Sequence, residues 1–197
     1  MCMQVTQQAP DFTAQAVMPD NSMEEVTLSS FRGKYVLLFF YPLDFTFVCP
    51  SEILAFNRAS EVFRHKNCEI IGVSVDSQFT HAAWRNTPVN QGGIGQIQFP
   101  LVADLTKSIA KEYGVLLEEQ GIALRGLFLI DKEGVLRHQL VNDLPLGRSV
   151  DEALRLLEAL QFTEEHGEVC PANWRPGEEA MKPTAEGVAS YLAKHDQ

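Results

Sequence analysis

The chain has 197 residues, 45% of them hydrophobic and 21% charged, a make-up that fits one globular domain and excludes disordered or collagen-like structure. Its net charge of −10 repels nucleic acid and anionic membranes, although a local basic pocket stays compatible with it. The longest apolar runs, such as Tyr35–Tyr41, are far too short to cross a bilayer, and Met1–Gln8 has neither a basic region nor an apolar stretch, so the expectation is a cytoplasmic protein without a signal peptide.

In chain order, Tyr35–Tyr41 is a continuous apolar, aromatic-rich run, the pattern of a strand buried on both faces of a sheet. Ser51–Phe63 carries Ile53, Leu54, Phe56, Ala59, Val62 and Phe63 at helical spacing. A second strand follows over Glu69–Val75, then a helix over Ser77–Arg85 opened by a serine cap, and another helical segment at Ile109–Tyr113. Gly126–Ile130 and Val135–Val141 flank the turn Asp131-Lys132-Glu133-Gly134 and predict a hairpin. Ser149-Val150-Asp151-Glu152 is a capping box, and the helix it opens has Val150, Ala153, Leu154, Leu157 and Leu160 on one side. The order βαβα then ββα predicts an α/β, thioredoxin-like fold with a central mixed sheet flanked by helices. Beyond Phe162 the texture changes: Pro171, Pro176, Gly177 and Pro183 predict an extended C-terminal arm with a helical patch near Glu186–Leu192. The expected division is a domain over residues 1–162 and an arm over 163–197.

Four cysteines stand at Cys2, Cys49, Cys68 and Cys170. None forms a C-x-x-C pair, so zinc spacing is missing and neither metal nor cofactor is expected. Cys49 falls between the buried strand and the amphipathic helix, where an open α/β sheet places its ligand site. Pro50 suits the first helical turn, and the partial positive charge of a helix start favours thiolate, the nucleophilic form. A cysteine that only filled a core gap would need no such turn. Thr46 stands three residues earlier, where a thioredoxin-type site has its second cysteine. T-x-x-C cannot close that local disulfide; its hydroxyl either bonds an incoming oxygen or is an ordinary turn threonine. Cys2, near the terminus, and Cys68, at the head of an apolar strand, read as non-catalytic.

The string Phe39-Phe40-Tyr41-Pro42-Leu43-Asp44-Phe45-Thr46-Phe47-Val48-Cys49-Pro50-Ser51-Glu52 resembles the active-site segment of typical 2-Cys peroxiredoxins. The likeness continues through Gly72–Ser77 with His81 and Trp84, Gly92-Gly93-Ile94-Gly95, Gly121–Gly126, Asn142–Pro145, Gly147-Arg148-Ser149 and Glu168-Val169-Cys170-Pro171, covering almost the whole chain. It implies a thiol-dependent peroxidase. Cys49 would attack the O–O bond to give a sulfenic acid, and Pro42 would shield the site from water. Thr46 and Arg125 would bond the thiolate and the bound peroxide, Glu52 would orient an arginine, and Arg148 would join the network. Cys170 of a partner subunit would form an intersubunit disulfide with Cys49, reduced in turn by thioredoxin or a flavoprotein disulfide reductase. A homodimer, assembled into a ring of five dimers, is implied in the same way.

Each role is physically sensible. A neutral peroxide is a weak electrophile, so rate comes from the thiolate and from donors on the departing oxygen, which a permanently charged guanidinium supplies. Two other functions compete: a holdase chaperone or peroxide-relay scaffold, separated by peroxide turnover, and a disulfide reductase, against which the missing C-x-x-C argues. One departure from the family bears on over-oxidation. The chain keeps the Gly92–Gly95 loop of sensitive members but has Tyr191-Leu192 where they have Tyr-Phe, which predicts intermediate resistance.

Overall fold

The structure is a computed structural model describing residues 3–195. It divides into two compact units, Met1–Arg148 and Ser149–Gln197.

The first unit is built on a seven-stranded mixed sheet. Its strands are β1 (Thr13–Val17), β2 (Met23–Thr27), β3 (Tyr35–Phe40), β4 (Cys68–Ser74), β5 (Leu101–Ala103), β8 (Arg125–Ile130) and β9 (Leu136–Asn142), with a separate two-stranded ribbon of β6 (Leu116–Leu117) and β7 (Ile122–Ala123). The order across the sheet is β2-β1-β5-β4-β3-β8-β9. The central β3–β4 and β4–β5 pairs are parallel and the outer pairs antiparallel. Among the described residues three α-helices belong to this unit: α1 (Cys49–His65), α2 (Gln78–Asn86) and α3 (Ser108–Glu112).

Strand β3 is buried throughout, as its unbroken apolar run requires. Successive side chains point to opposite faces, so Phe39 stacks on Phe56 of α1 at 4.9 Å while Phe40 meets Tyr113, just past α3, at 5.3 Å. Helices thus cover both faces of the sheet at its centre. The hairpin β8–β9 turns where expected: Asp131 accepts from the main-chain N–H groups of Glu133 and Val135, and Gly134 takes a left-handed φ of 81°. Helix α2 begins with the anticipated cap, Ser77 Oγ accepting from Thr80 N.

The expected element order omits the N-terminal hairpin β1–β2 and the short strands β5, β6 and β7. Strand β2 is an edge strand whose Glu24 and Glu25 face water, so no apolar run marks it. Its turn is nonetheless written locally: Asp20 accepts from Ser22 N and Oγ, and Asn21 sits at φ 68°.

The second unit holds α4 (Val150–His166) and α5 (Ala185–His195), joined by a segment pinned by a bridge between Val169 and Met181. Ser149 Oγ accepts from Glu152 N as a cap should, while the Glu152 carboxylate grips Arg155. Among the described residues no helix is long and apolar enough to cross a membrane.

Candidate active site

Cys49 is the first residue of α1 and is fully buried. The preceding Val48 offers no side-chain cap, its carbonyl accepting from Ser51 N at 3.1 Å and Glu52 N at 3.3 Å, and Pro50 follows as anticipated. Two donors converge on the sulfur. Thr46 Oγ1 lies 2.9 Å from Sγ and 2.9 Å from the Leu43 carbonyl oxygen. Its single hydrogen serves one of them at a time, so it turns to the sulfur when Sγ is ionised and to the carbonyl when the thiol itself donates. The second donor is Arg125 Nη1, 3.4 Å from Sγ.

Arg125 comes from the start of β8. The register Phe39–Leu127 across the β3–β8 pair sets it beside the end of β3, from which the Pro42–Val48 loop leaves. Its Nε donates to the Leu144 carbonyl at 2.6 Å and its Nη1 also to Glu52 Oε2 at 2.6 Å. The two N–H groups of Nη2 meet no protein acceptor among the described residues.

Glu52, one helical turn after Cys49, is the hub. Its Oε1 accepts from the main-chain N and Nε of Arg148, both at 2.8 Å, and Oε2 accepts from Arg148 Nη2 at 3.0 Å as well as from Arg125. Burial alone would raise the Glu52 carboxyl, but its bonds to Arg148 and the charge of Arg125 outweigh that and hold it below the usual range. Arg148 Nη1 donates to the carbonyls of Phe40 and Gly126, and its guanidinium lies 5.2 Å over the Phe39 ring. Arg148 therefore has four of its five N–H groups committed and acts as a brace, without a bond to Sγ. Gly126 is needed here, because a Cβ would meet both Phe128 and Val115 at 2.8 Å. Two guanidiniums and one carboxylate leave one net positive charge in the buried cluster beside the sulfur.

Pro42 is buried just after β3. The loop after it is anchored by a network that loop composition does not reveal. Asp44 accepts from Tyr41 Oη at 2.9 Å and pairs with His81 Nδ1 at 2.7 Å, while its main-chain N donates to Asp76 at 2.8 Å. Burial pushes the Asp44 carboxyl above the usual range despite the bond from His81. These anchors hold Phe45 at φ 55° and so fix Thr46 beside the sulfur. Of their members, His81 stood out in the sequence only through the family likeness; the pairing with Asp44 spans 37 positions and leaves no periodic signal.

The remaining expected site residue, Cys170, lies in the second unit as a half-buried free thiol. Cys68 is a buried free thiol that burial pushes well above the ordinary range, which suits a packing role. Cys2 lies outside the described residues. Among those described, no cluster of three or more His, Cys, Asp or Glu side chains is arranged to hold a metal.

Residues 5–139 match the AhpC/TSA family and residues 159–194 match the C-terminal domain of 1-Cys peroxiredoxin, a segment that here contains Cys170. The chain is 60% identical to Peroxiredoxin-2 of Mus musculus over 98% of its length and 97% of the relative's, and 60% identical to Peroxiredoxin-1 of Gekko japonicus over 95% and 94%. Among solved structures, the reduced 2-Cys peroxiredoxin of Plasmodium vivax superposes with a TM-score of 0.95 at 54% identity, covering 97% of this chain and 99% of that one. Thioredoxin peroxidase I of Plasmodium yoelii superposes with a TM-score of 0.79 at 58% identity, over 88% and 100%.

Proposed function

This chain belongs to the peroxiredoxin family of thiol peroxidases, and from that premise we propose that it reduces hydrogen peroxide and organic hydroperoxides with Cys49 as nucleophile and Cys170 as resolving thiol. The Cys49 thiolate attacks the terminal peroxide oxygen. The O–O bond breaks, sulfur gains the hydroxyl as sulfenic acid, and the departing oxygen leaves as water or an alcohol after taking up a proton. Cys170 of a partner subunit then attacks the sulfenic sulfur, forming an intersubunit disulfide and releasing water. Thioredoxin or a flavoprotein disulfide reductase supplies two electrons to return both thiols.

The observation that carries this reading is the pair of donors, Thr46 and Arg125, aimed at a buried Cys49 sulfur. The two N–H groups of Arg125 Nη2 are of the kind a departing oxygen needs, and a donor of this sort contributes about 10²–10³ in rate. Pro42 excludes water, Glu52 orients Arg125, and Arg148 holds Glu52. Because Sγ is fully buried, the disulfide requires the first turn of α1 to unwind, which the uncapped Val48 makes easier. In this scheme residues 1–162 form the peroxidase domain and residues 163–197 the arm. The working unit is a cytoplasmic homodimer, assembled into a ring of five dimers.

The test is peroxide consumption with each reductant class in turn, comparing wild type with Cys49→Ser. A serine hydroxyl does not supply the anion, so turnover should vanish. Wild-type-like turnover by that variant would reject the assignment.

A further inference from the structure

On α4, Arg155, Ala159 and Thr163 recur every four residues and share one face. The turn that carries Cys170 lies along that face. The Cys170 thiol is 3.7 Å from the Ala159 carbonyl, to which it donates, and 3.8 Å from Thr163 Oγ1. The chain then doubles back, with Trp174 N donating to the Pro171 carbonyl at 3.2 Å and Asn173 at φ 63°. Trp174 is only 2% exposed; its ring packs 4.8 Å from Phe162 and its Nε1 donates to the Glu178 carbonyl at 3.1 Å. Arg155 closes the arrangement. Glu152 grips its Nε and Nη2 at 2.7 and 2.8 Å, which aims Nη1 at the Trp174 carbonyl, 3.0 Å away.

We propose that Arg155 is a positioning residue of the resolving half-reaction: its clasp on the Trp174 carbonyl holds the Cys170 turn against α4 and sets how often the thiol is released to form the disulfide. A thiolate has no hydrogen to give the Ala159 carbonyl, so the attacking form of Cys170 loses the bond that ties its sulfur to the α4 backbone in the pose that Arg155 maintains. The clasp is a latch on the second chemical step. In that second step the Cys170 sulfur bonds to the Cys49 sulfur, the S–OH bond breaks, and hydroxide leaves as water with the thiol proton. The time the sulfenic acid waits for release is also the time in which a second peroxide oxidises it to sulfinic acid.

This inference rests on Cys170 being the resolving thiol, and the experiment separates the two. Full-length wild type, Arg155→Gln, Arg155→Lys and Cys170→Ser are mixed with one equivalent of hydrogen peroxide in rapid quench. Sulfenic acid and disulfide are counted by mass spectrometry. For Arg155→Gln the first step should match wild type, while disulfide formation should accelerate about three- to tenfold, the range one net hydrogen bond spans. Under excess peroxide its sulfinic fraction should fall by a similar factor. Arg155→Lys keeps the charge and a donor and should lie in between; general loosening of α4 would show no such rescue. An unchanged or slower disulfide step in Arg155→Gln, with Cys170→Ser still blocking the disulfide, overturns the latch alone. A disulfide that forms in Cys170→Ser overturns the resolving assignment beneath it.

Discussion

Replacing Glu52 by Gln tests the site at its hub. The change keeps the shape but removes the charge and puts an NH2 group among donors that need an acceptor. The side chains of Glu52 and Arg148 are only 4% and 0% exposed, so solvent screening gives no relief. Breaking a buried pair of this kind costs about 3–5 kcal/mol, because a guanidinium is left uncompensated. Arg125 loses its 2.6 Å tether and with it the aim of Nη1 at the sulfur. We therefore expect peroxide reduction to slow by about a hundredfold, the lower end for removing an oriented donor. Stopped-flow reaction with peroxide measures the rate, and urea unfolding measures the stability. The pH dependence gives an independent sign. The Glu52 carboxyl lies below its ordinary range in the folded protein, so its stabilisation is complete above the unfolded value and is lost as pH falls through the folded one. The stability gap between wild type and Glu52→Gln should be constant above about pH 5 and narrow below it. A rate within twofold of wild type, or a gap under about 1 kcal/mol at neutral pH, would refute the hub argument.

Thr46→Val removes the hydroxyl at nearly constant volume and should slow the peroxide step by about 10²-fold, while Thr46→Ser should retain most of the rate; an undiminished rate for Thr46→Val in stopped flow would show that the donor does not matter. Cys170→Ser should still reduce one equivalent of peroxide but form no covalent dimer on a non-reducing gel, and a surviving dimer would make Cys2 or Cys68 the partner. Leu192 is 45% exposed beside a groove of about 440 Å³ that it shares with Pro171, Ala172 and Met181. Leu192→Phe should add apolar contact there, worth of order 1 kcal/mol, slow the release of the Cys170 turn and raise the sulfinic fraction of Cys49 in mass spectra. No change in that fraction would mean that α5 does not restrain the turn.

Cys49 stood out because its signal is local: a buried aromatic strand, a tight loop and a helix start fall within about fifteen consecutive residues, whereas for Thr46 the same pattern left an ordinary turn threonine open and only the family likeness gave it a role. The fold was legible where apolar runs are long, in β3, β4 and β8, and not where a strand is short or at an edge, as in β2 and β5. The arginines were a different problem. Arg125 and Arg148 lie 73 and 96 positions from Glu52, and nothing in their own neighbourhoods distinguishes them from solvated charges. They meet because β8 pairs antiparallel with β3 and β9 returns beside β8, which brings both residues to one end of the sheet. The family likeness supplied their names, and the sheet register supplies the reason.

That convergence also settles how a strongly acidic chain keeps a cationic centre. Most of the charged side chains behind the net charge of −10 are solvated, where salt screens them within about 8–10 Å. At Cys49 the relevant charges are a few buried groups at hydrogen-bond distance, in a medium where a unit charge acts several times more strongly than in water. Two guanidiniums against one carboxylate leave a single positive charge for the sulfur to balance. A peroxide arrives neutral, so the field of the whole molecule neither steers nor repels it. In the proposed mechanism its reaction is governed by the local arrangement of Thr46, Arg125, Glu52 and Arg148 around one sulfur atom.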